Sequence, residues 1–221
     1  MATICCKIYR SDCFRKFKAY PFHKIRSNFS PTIRSFVRPV NTHPDMEEFP
    51  EQNRPGIVIF DMDYTVWPYW ADVHLDPPFS VSNGVVKDSR NEKVKIYPDI
   101  LKILNFCKHH DIPMAVASKS PETTMYKELM KLLDIHKYFV QFEIYRKSKE
   151  NHMKVINEQQ NIEFTDMIFF DDDFRNIEST RRIGVTAVHC PRLGVTWNMF
   201  LEALKKHSDC KQTNPKQRQL K

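Results

Sequence analysis

The chain has 221 residues, of which 41% are hydrophobic and 12% aromatic, with only 4 glycines and a formal charge of +7. That length and apolar content suffice for a packed core, so few glycines exclude a collagen-like chain, and no run of about 18 apolar residues marks a membrane-spanning helix. The charge is local: residues 1–44 hold nine bases, from Lys7 to Arg38, against Asp12 alone, a net +8, whereas residues 45–221 hold 25 bases and 26 acids, a net −1.

The N-terminal stretch shows neither strand nor helix period and is poor in acids. It reads as a basic, disordered arm over residues 1–50, serving either as an organellar transit segment or as no address at all. Its basic residues have no recognisable fold around them, so a nucleic-acid partner is not expected. Cys5, Cys6, Cys13 and His23 lack the spacing of a zinc site. Cys107, Cys190 and Cys210 are scattered and form no C-x-x-C pair, which suits reduced intracellular thiols. The expected location is the cytoplasm, or the mitochondrion if the arm is a transit peptide; no membrane association is expected.

From residue 55 to about 205 the pattern sharpens into one domain. Short, continuous apolar runs at 56–60, 114–117, 142–145, 167–170 and 185–188 have the character of strands buried on both faces of a parallel sheet. Residues 66–96 contain Trp67, Trp70, Pro77, Pro78 and the turn signal Asn83-Gly84, and read as a small hairpin flap. Ile100, Leu104 and Cys107 recur at helical spacing after Pro98. Met125, Leu129, Leu132 and Leu133 do so again, with Ser120 as the expected N-cap and Pro121 in the first turn. Trp197, Phe200, Leu201 and Leu204 give a last amphipathic helix, and residues 208–221 read as a polar, disordered tail. The alternation of strand and helix predicts an α/β fold, a doubly wound parallel sheet of Rossmann-like type. Ligands of such sheets bind beyond the carboxyl ends of the strands.

Four polar elements fall at those ends. The first strand runs into Asp61-Met62-Asp63-Tyr64-Thr65, where one carboxylate can attack phosphorus and the other can move a proton. The second ends at Ser118, whose hydroxyl can bond a phosphate oxygen. Lys149 lies near a helix start after the third, where an ammonium group would neutralise phosphoryl charge, with Lys147 as its rival. The fourth runs into Asp171-Asp172-Asp173, an acid cluster that suits either Mg²⁺ with its oxygen ligands or a helix N-terminus. Trp67 and Trp70 suit the packing of the flap or stacking on a ligand ring.

The order acid pair, hydroxyl, lysine, acid pair resembles the four-motif signature of the haloacid dehalogenase superfamily. The segment 60–70 and its continuation His74-Leu75-Asp76-Pro77-Pro78-Phe79, with Glu143-Ile144-Tyr145, Ser148-Lys149 and Phe169-Phe170-Asp171-Asp172, is similar to the eukaryotic magnesium-dependent phosphatases, also called the acid-phosphatase-like group. The resemblance covers about residues 55–205. It implies a Mg²⁺-dependent phosphomonoesterase with Asp61 as nucleophile and metal ligand. It implies Asp63 as general acid/base whose backbone carbonyl also binds metal, Ser118 and Lys149 on the phosphoryl group, and Asp172 as a further metal ligand. Asp171, Thr65 and Trp67 take supporting roles, and a minimal flap replaces a cap domain. Where the family carries Pro-Gly before the lysine, this chain has Arg146-Lys147. The implied substrates are protein phosphotyrosine and phosphorylated sugars. A catalytically silent phosphoprotein-binding module and a nucleic-acid-associated phosphatase are the alternatives, and oligomeric state is not legible.

Overall fold

The computed structural model describes residues 50–213; the expectations for residues 1–49 and 214–221 lie outside them. A 3₁₀ turn at Glu51–Asn53 leads into β1 (Ile57–Phe60). Then follow α1 (Ala71–His74), β2 (Ser80–Ser82), β3 (Val85–Lys87), α2 (Ile100–His109), β4 (Met114–Ser118), α3 (Thr123–Leu132) and β5 (Gln141–Ile144). The chain continues through α4 (Lys149–Gln160), β6 (Met167–Asp171), α5 (Phe174–Arg182), β7 (Thr186–His189) and α6 (Trp197–Thr213).

Five strands form one parallel sheet in the order β5-β4-β1-β6-β7. β1 is central, and successive crossovers run outward from it first on one side and then on the other. That is the doubly wound arrangement, and it places the end of β1 at the switch point. Alternate residues of each inner strand feed separate cores. Val58, Phe60, Met114, Val116, Ile168 and Phe170 pack against α2, α3 and α6. Ile57, Ile59, Ala115, Ala117, Met167 and Phe169 pack against α4 and α5. Burial on both faces is why these strands are apolar throughout instead of alternating.

The segment 66–96 does form a hairpin. β2 and β3 pair antiparallel around Asn83 and Gly84, both at positive φ (51° and 75°), the conformation that a two-residue turn matched to strand twist requires. It also contains the short α1, which periodicity did not announce. Two expectations need correction. The helix expected from Ser120 starts at Thr123 with Glu122 at its N-cap. Ser120 Oγ instead accepts from the Glu122 N–H at 3.1 Å and donates to Asp72, so it closes the turn before the helix. The polar stretch from Ser208 continues α6 through Thr213. Tertiary contacts hold it there: His207 Nε2 lies 3.2 Å from Asp166 Oδ1, and Lys211 Nζ donates to the Arg54 carbonyl at 2.8 Å. Among the described residues no helix is long and apolar enough to cross a membrane.

Candidate active site

The site grows from the end of β1. The Asp61 N–H still bonds the Phe170 carbonyl at 2.9 Å, after which the chain turns. The Met62 carbonyl accepts from the N–H groups of Thr65, Val66 and Trp67, and Tyr64 takes a left-handed φ of 53°, an uncommon conformation for an aromatic residue. This tight turn lets Asp61 and Asp63 line one cavity of about 640 Å³, together with Ser118, Lys149 and Asp172. Four elements that lie far apart in sequence thus meet at the carboxyl edge of the sheet.

Lys149, in the first turn of α4, is 1% exposed. Its Nζ lies 2.6 Å from Asp61 Oδ1 and 3.2 Å from Asp171 Oδ2, and it also donates to the Ala117 carbonyl. Burial disfavours its charge, but the carboxylates of Asp61 and Asp171 outweigh that and hold its pKa above the ordinary lysine value. Lys147, its rival in sequence, is exposed and lies outside this cluster. Burial drives Asp61 well above the usual carboxylate range, Asp171 and Asp63 reinforce the shift, and Lys149 opposes it.

Asp61, Asp171 and Asp172 each offer a carboxylate oxygen within 4.8 Å of the others. Asp171 is fully buried and is held by Asn176, whose Nδ2 donates to both carboxylate oxygens at 3.0 Å. Burial and repulsion from Asp171 push the Asp172 carboxyl up to about 6, against the pull of Arg192. One ammonium group cannot compensate three gathered carboxylates, and these oxygen donors are the kind a hard divalent cation takes.

The Asp63 carboxylate stands apart from that trio. Trp67 Nε1 donates to its Oδ1 at 2.8 Å, the Ala71 N–H donates to the same oxygen at 3.1 Å, and the buried Tyr126 hydroxyl donates to Oδ2 at 2.6 Å. Burial raises its pKa, and these three donors only partly offset the shift. A carboxyl that keeps its proton nearer neutrality is suited to acid–base work.

Ser118 is buried, and its Oγ accepts from the Ser120 N–H at 3.2 Å. The two tryptophans separate. Trp67 is fully buried, with its ring edge-on to Tyr126 at 5.3 Å, whereas Trp70 is 48% exposed at the cavity wall. Thr65 is buried and does not line the cavity: its carbonyl accepts from the Val195 N–H at 3.1 Å, and its hydroxyl has no hydrogen-bond partner among the described residues. The wall facing β1 comes from α1 through Asp72 and Val73, while β2 and β3 contribute nothing to the cavity lining. Sequence patterns gave no warning of Tyr126 or Asn176. Tyr126 lies 63 residues from Asp63 beside an apolar helix stripe, and Asn176 has the look of an ordinary helix polar residue; only the fold pairs them with acids.

The family model described as acid phosphatase matches residues 53–210. Human magnesium-dependent phosphatase 1 is 41% identical over 136 residues, which are 61% of this chain and 77% of that protein. A HAD-like hydrolase superfamily protein of Schizosaccharomyces pombe is 32% identical over 166 residues, 70% of this chain and 88% of that protein. Among solved structures, the N-terminal part of a Bacteroides fragilis protein containing a phosphatase domain, complexed with Mg, superposes with a TM-score of 0.51 at 18% identity, over 69% of this chain and 40% of that one; this likeness bears on the fold. A match spanning nearly the whole described domain, on a chain that also gathers its acids, hydroxyl and lysine at one sheet edge, places the protein in the acid phosphatase family of the HAD-like hydrolase superfamily.

Proposed function

We propose that this protein is a Mg²⁺-dependent phosphomonoesterase that works through an aspartyl-phosphate on Asp61. The observation that carries the reading is the meeting of Asp61, Asp172, Lys149 and Ser118 in one open cavity, with the buried Asp171 carboxylate beside Asp61 and Asp172. Lys149 bonds Asp61 Oδ1 and fixes the carboxylate; Oδ2 makes no hydrogen bond among the described residues and is the attacking atom. Its bond to phosphorus forms as the bond to the leaving oxygen breaks, and Asp63 gives that oxygen its proton. Water then gives a proton to Asp63 and attacks the phosphorus as its bond to Asp61 Oδ2 breaks, which releases inorganic phosphate and restores both residues. Ser118 and Lys149 bind the phosphoryl oxygens, the ammonium by redirecting one of the three N–H groups now engaged with Asp61, Asp171 and the Ala117 carbonyl.

Asp61, Asp171 and Asp172 fit a hard cation, and with the backbone carbonyl of Asp63 they are the residues that would hold Mg²⁺. Bound there, the ion supplies charge stabilisation for an anionic phosphoryl group facing an anionic nucleophile. The magnesium dependence stated in the name of human magnesium-dependent phosphatase 1 supports the same reading.

Phosphorylated sugars and protein phosphotyrosine are the proposed substrate classes. In support, the cavity is open and the exposed rings of Trp70 and Phe174 stand at its wall, where either a sugar or a phenyl ring can lie. The test is hydrolysis of p-nitrophenyl phosphate with Mg²⁺ and with EDTA, alongside Asp61→Asn. Turnover is expected only in the unaltered protein with metal. Activity that survives EDTA, or survives Asp61→Asn, overturns the assignment. Binding of phosphopeptides without any turnover would favour the silent binding module instead.

A further inference from the structure

Beside the central cavity lies a second cleft of about 330 Å³, lined by Lys119, Arg146, Lys147 and Ser148. Lys119 and Arg146 line both, so the cleft is a lateral extension of the active site. Three cations border it. Arg146 and Lys147 are exposed, and neither makes a side-chain hydrogen bond or ion pair among the described residues. Like charges side by side are unfavourable without a counter-charge, and they lower the free energy of an anion placed among them.

Asp173, an acid in electrostatic reach of Lys119, is bound by Arg175 through contacts of 2.8 and 3.0 Å, and Glu150, the other, is half-buried in the first turn of α4.

The loop that carries the cations is fixed at both ends. Before it, the Tyr145 N–H bonds the Ser118 carbonyl at 3.1 Å, and the Tyr145 hydroxyl donates to Glu143 at 2.7 Å. The Tyr145 carbonyl accepts from His152 Nε2 at 3.1 Å. After the loop, Asn151 Nδ2 donates to Ser148 Oγ at 2.8 Å. On the side of the central cavity, Lys119 donates to Asn176 Oδ1, and the same Asn176 holds Asp171. The backbone that carries Arg146 and Lys147 is therefore fixed, and Lys119 is held by the same Asn176 that holds Asp171, so fewer groups remain to be ordered on binding.

We propose that this cleft is a subsite for a second anionic group, phosphate or carboxylate, carried on the same small molecule as the phosphate that is cleaved. The inference refines the phosphomonoesterase reading and rests on it. Arg146 precedes Lys149 by three residues, which span at most about 11 Å of extended chain. Lys119 directly follows Ser118. Because Lys119 and Arg146 line both spaces, an anion in the cleft lies beside the transferring group, and a phosphorylated sugar or sugar acid can bridge the two positions. The planar fork of Arg146 suits two phosphate or carboxylate oxygens at once.

The experiment uses the full chain with Mg²⁺. Glucose 1,6-bisphosphate and 6-phosphogluconate are compared with glucose 6-phosphate, and p-nitrophenyl phosphate serves as the single-anion control. The doubly anionic sugars are expected to show about tenfold higher kcat/KM, mainly through KM, for one added charge-assisted contact. The variant Lys147→Gln, at a residue that lines the cleft and not the central cavity, should reduce that preference while leaving p-nitrophenyl phosphate turnover within about twofold. Titration of Asp61→Asn protein with the same sugars should rank them identically without turnover. Equal kcat/KM across the sugars, equal losses on p-nitrophenyl phosphate, or a charge dependence seen only with acidic phosphotyrosine peptides would overturn the subsite. Failure of the unaltered protein to hydrolyse p-nitrophenyl phosphate strikes the phosphatase reading instead, and the binding ranking still decides the subsite.

Discussion

Three donors converge on Asp63, and their placement matters more than their number. Trp67 and the Ala71 N–H both take Oδ1, so Oδ2 is the oxygen left to exchange a proton, with the Tyr126 hydroxyl 2.6 Å away to fix its direction. Tyr126 is therefore a positioning residue for the proposed acid/base. Tyr126→Phe removes one hydrogen bond without changing ring packing against Trp67. It should lower kcat about tenfold with KM little changed, since general acid–base catalysis as a whole contributes about 10²–10⁴-fold. The loss should be larger for an alkyl phosphate, whose leaving oxygen needs the proton, than for p-nitrophenyl phosphate. An equal loss on both substrates would assign Tyr126 to packing alone.

At the scale of elements, β1 and β6 are tied at their amino ends by Asp166. Its carbonyl accepts from the Gly56 N–H at 2.8 Å, and its carboxylate takes His207 and Lys211 from the last turns of α6. Gly56 is required there, because an added Cβ would stand 2.7 Å from Ile162 and 3.0 Å from the Asp166 carboxylate. Burial raises the Asp166 pKa, but the bonds from His207 and Lys211 prevail and hold it below the usual carboxylate value. A depressed carboxylate contributes stability that is present above its unfolded pKa and lost as pH falls through its folded pKa. Asp166→Asn should accordingly cost about 1 kcal/mol in urea unfolding at pH 7, discounted because the pair is partly exposed, and nothing once pH drops below the folded value. A pH-independent difference would show that the amide has disturbed packing rather than removed charge.

The described domain gathers three acids, Asp61, Asp171 and Asp172, at one edge of its sheet, and the chain holds its surplus bases in residues 1–44. The acid edge opposes folding when no cation is present. Asp172, raised to about 6, illustrates the sign: its contribution is most favourable below the unfolded carboxylate range and is lost as pH rises through about 6. Protein stripped with EDTA should therefore gain least from the cluster at pH 7, and added Mg²⁺ should raise Tm there, by about 2.7 kcal/mol of linkage at a hundredfold excess over Kd. The gain should shrink at pH 5, where the ion competes with protons. Thermal melts at the two pH values, with Asp172→Asn alongside, check this; a Tm gain that survives the substitution unchanged would remove Asp172 from the cation site.

The basic arm belongs to the same scale. The family match begins at residue 53, so a chain starting at Asp45 should hydrolyse p-nitrophenyl phosphate as the full chain does. We propose that residues 1–44 act as an address. Imaging the two chains in cells tests it, and identical distributions would leave the arm without that role.

How much was legible follows from the range of each interaction. Ile57–Phe60, Met114–Ser118 and Met167–Asp171 announce themselves as strands because burial on both faces demands unbroken apolar runs, and that demand is written locally. Asp61, Ser118, Lys149 and Asp172 are legible for the same reason, since each sits where a legible strand ends or the next helix begins. Tyr126, Asn176 and Lys119 are not, because what gives them meaning is a partner brought near by a crossover. The end of α6 is likewise decided by Asp166 and the Arg54 carbonyl, not by the polar sequence Ser208-Asp209 itself. The sequence by itself determined the α/β class, the confinement of the surplus charge to residues 1–44, and the strand-end or helix-start positions of Asp61, Ser118, Lys149 and Asp172, because periodicity and strand-end position are local properties of a chain. The tertiary structure alone decided that Asp63 turns away from the carboxylate trio, that Asp171 joins it, and that Arg146 and Lys147 border a cleft open to the site, because hydrogen bonds and charge pairs between distant residues exist only once the sheet has brought them together.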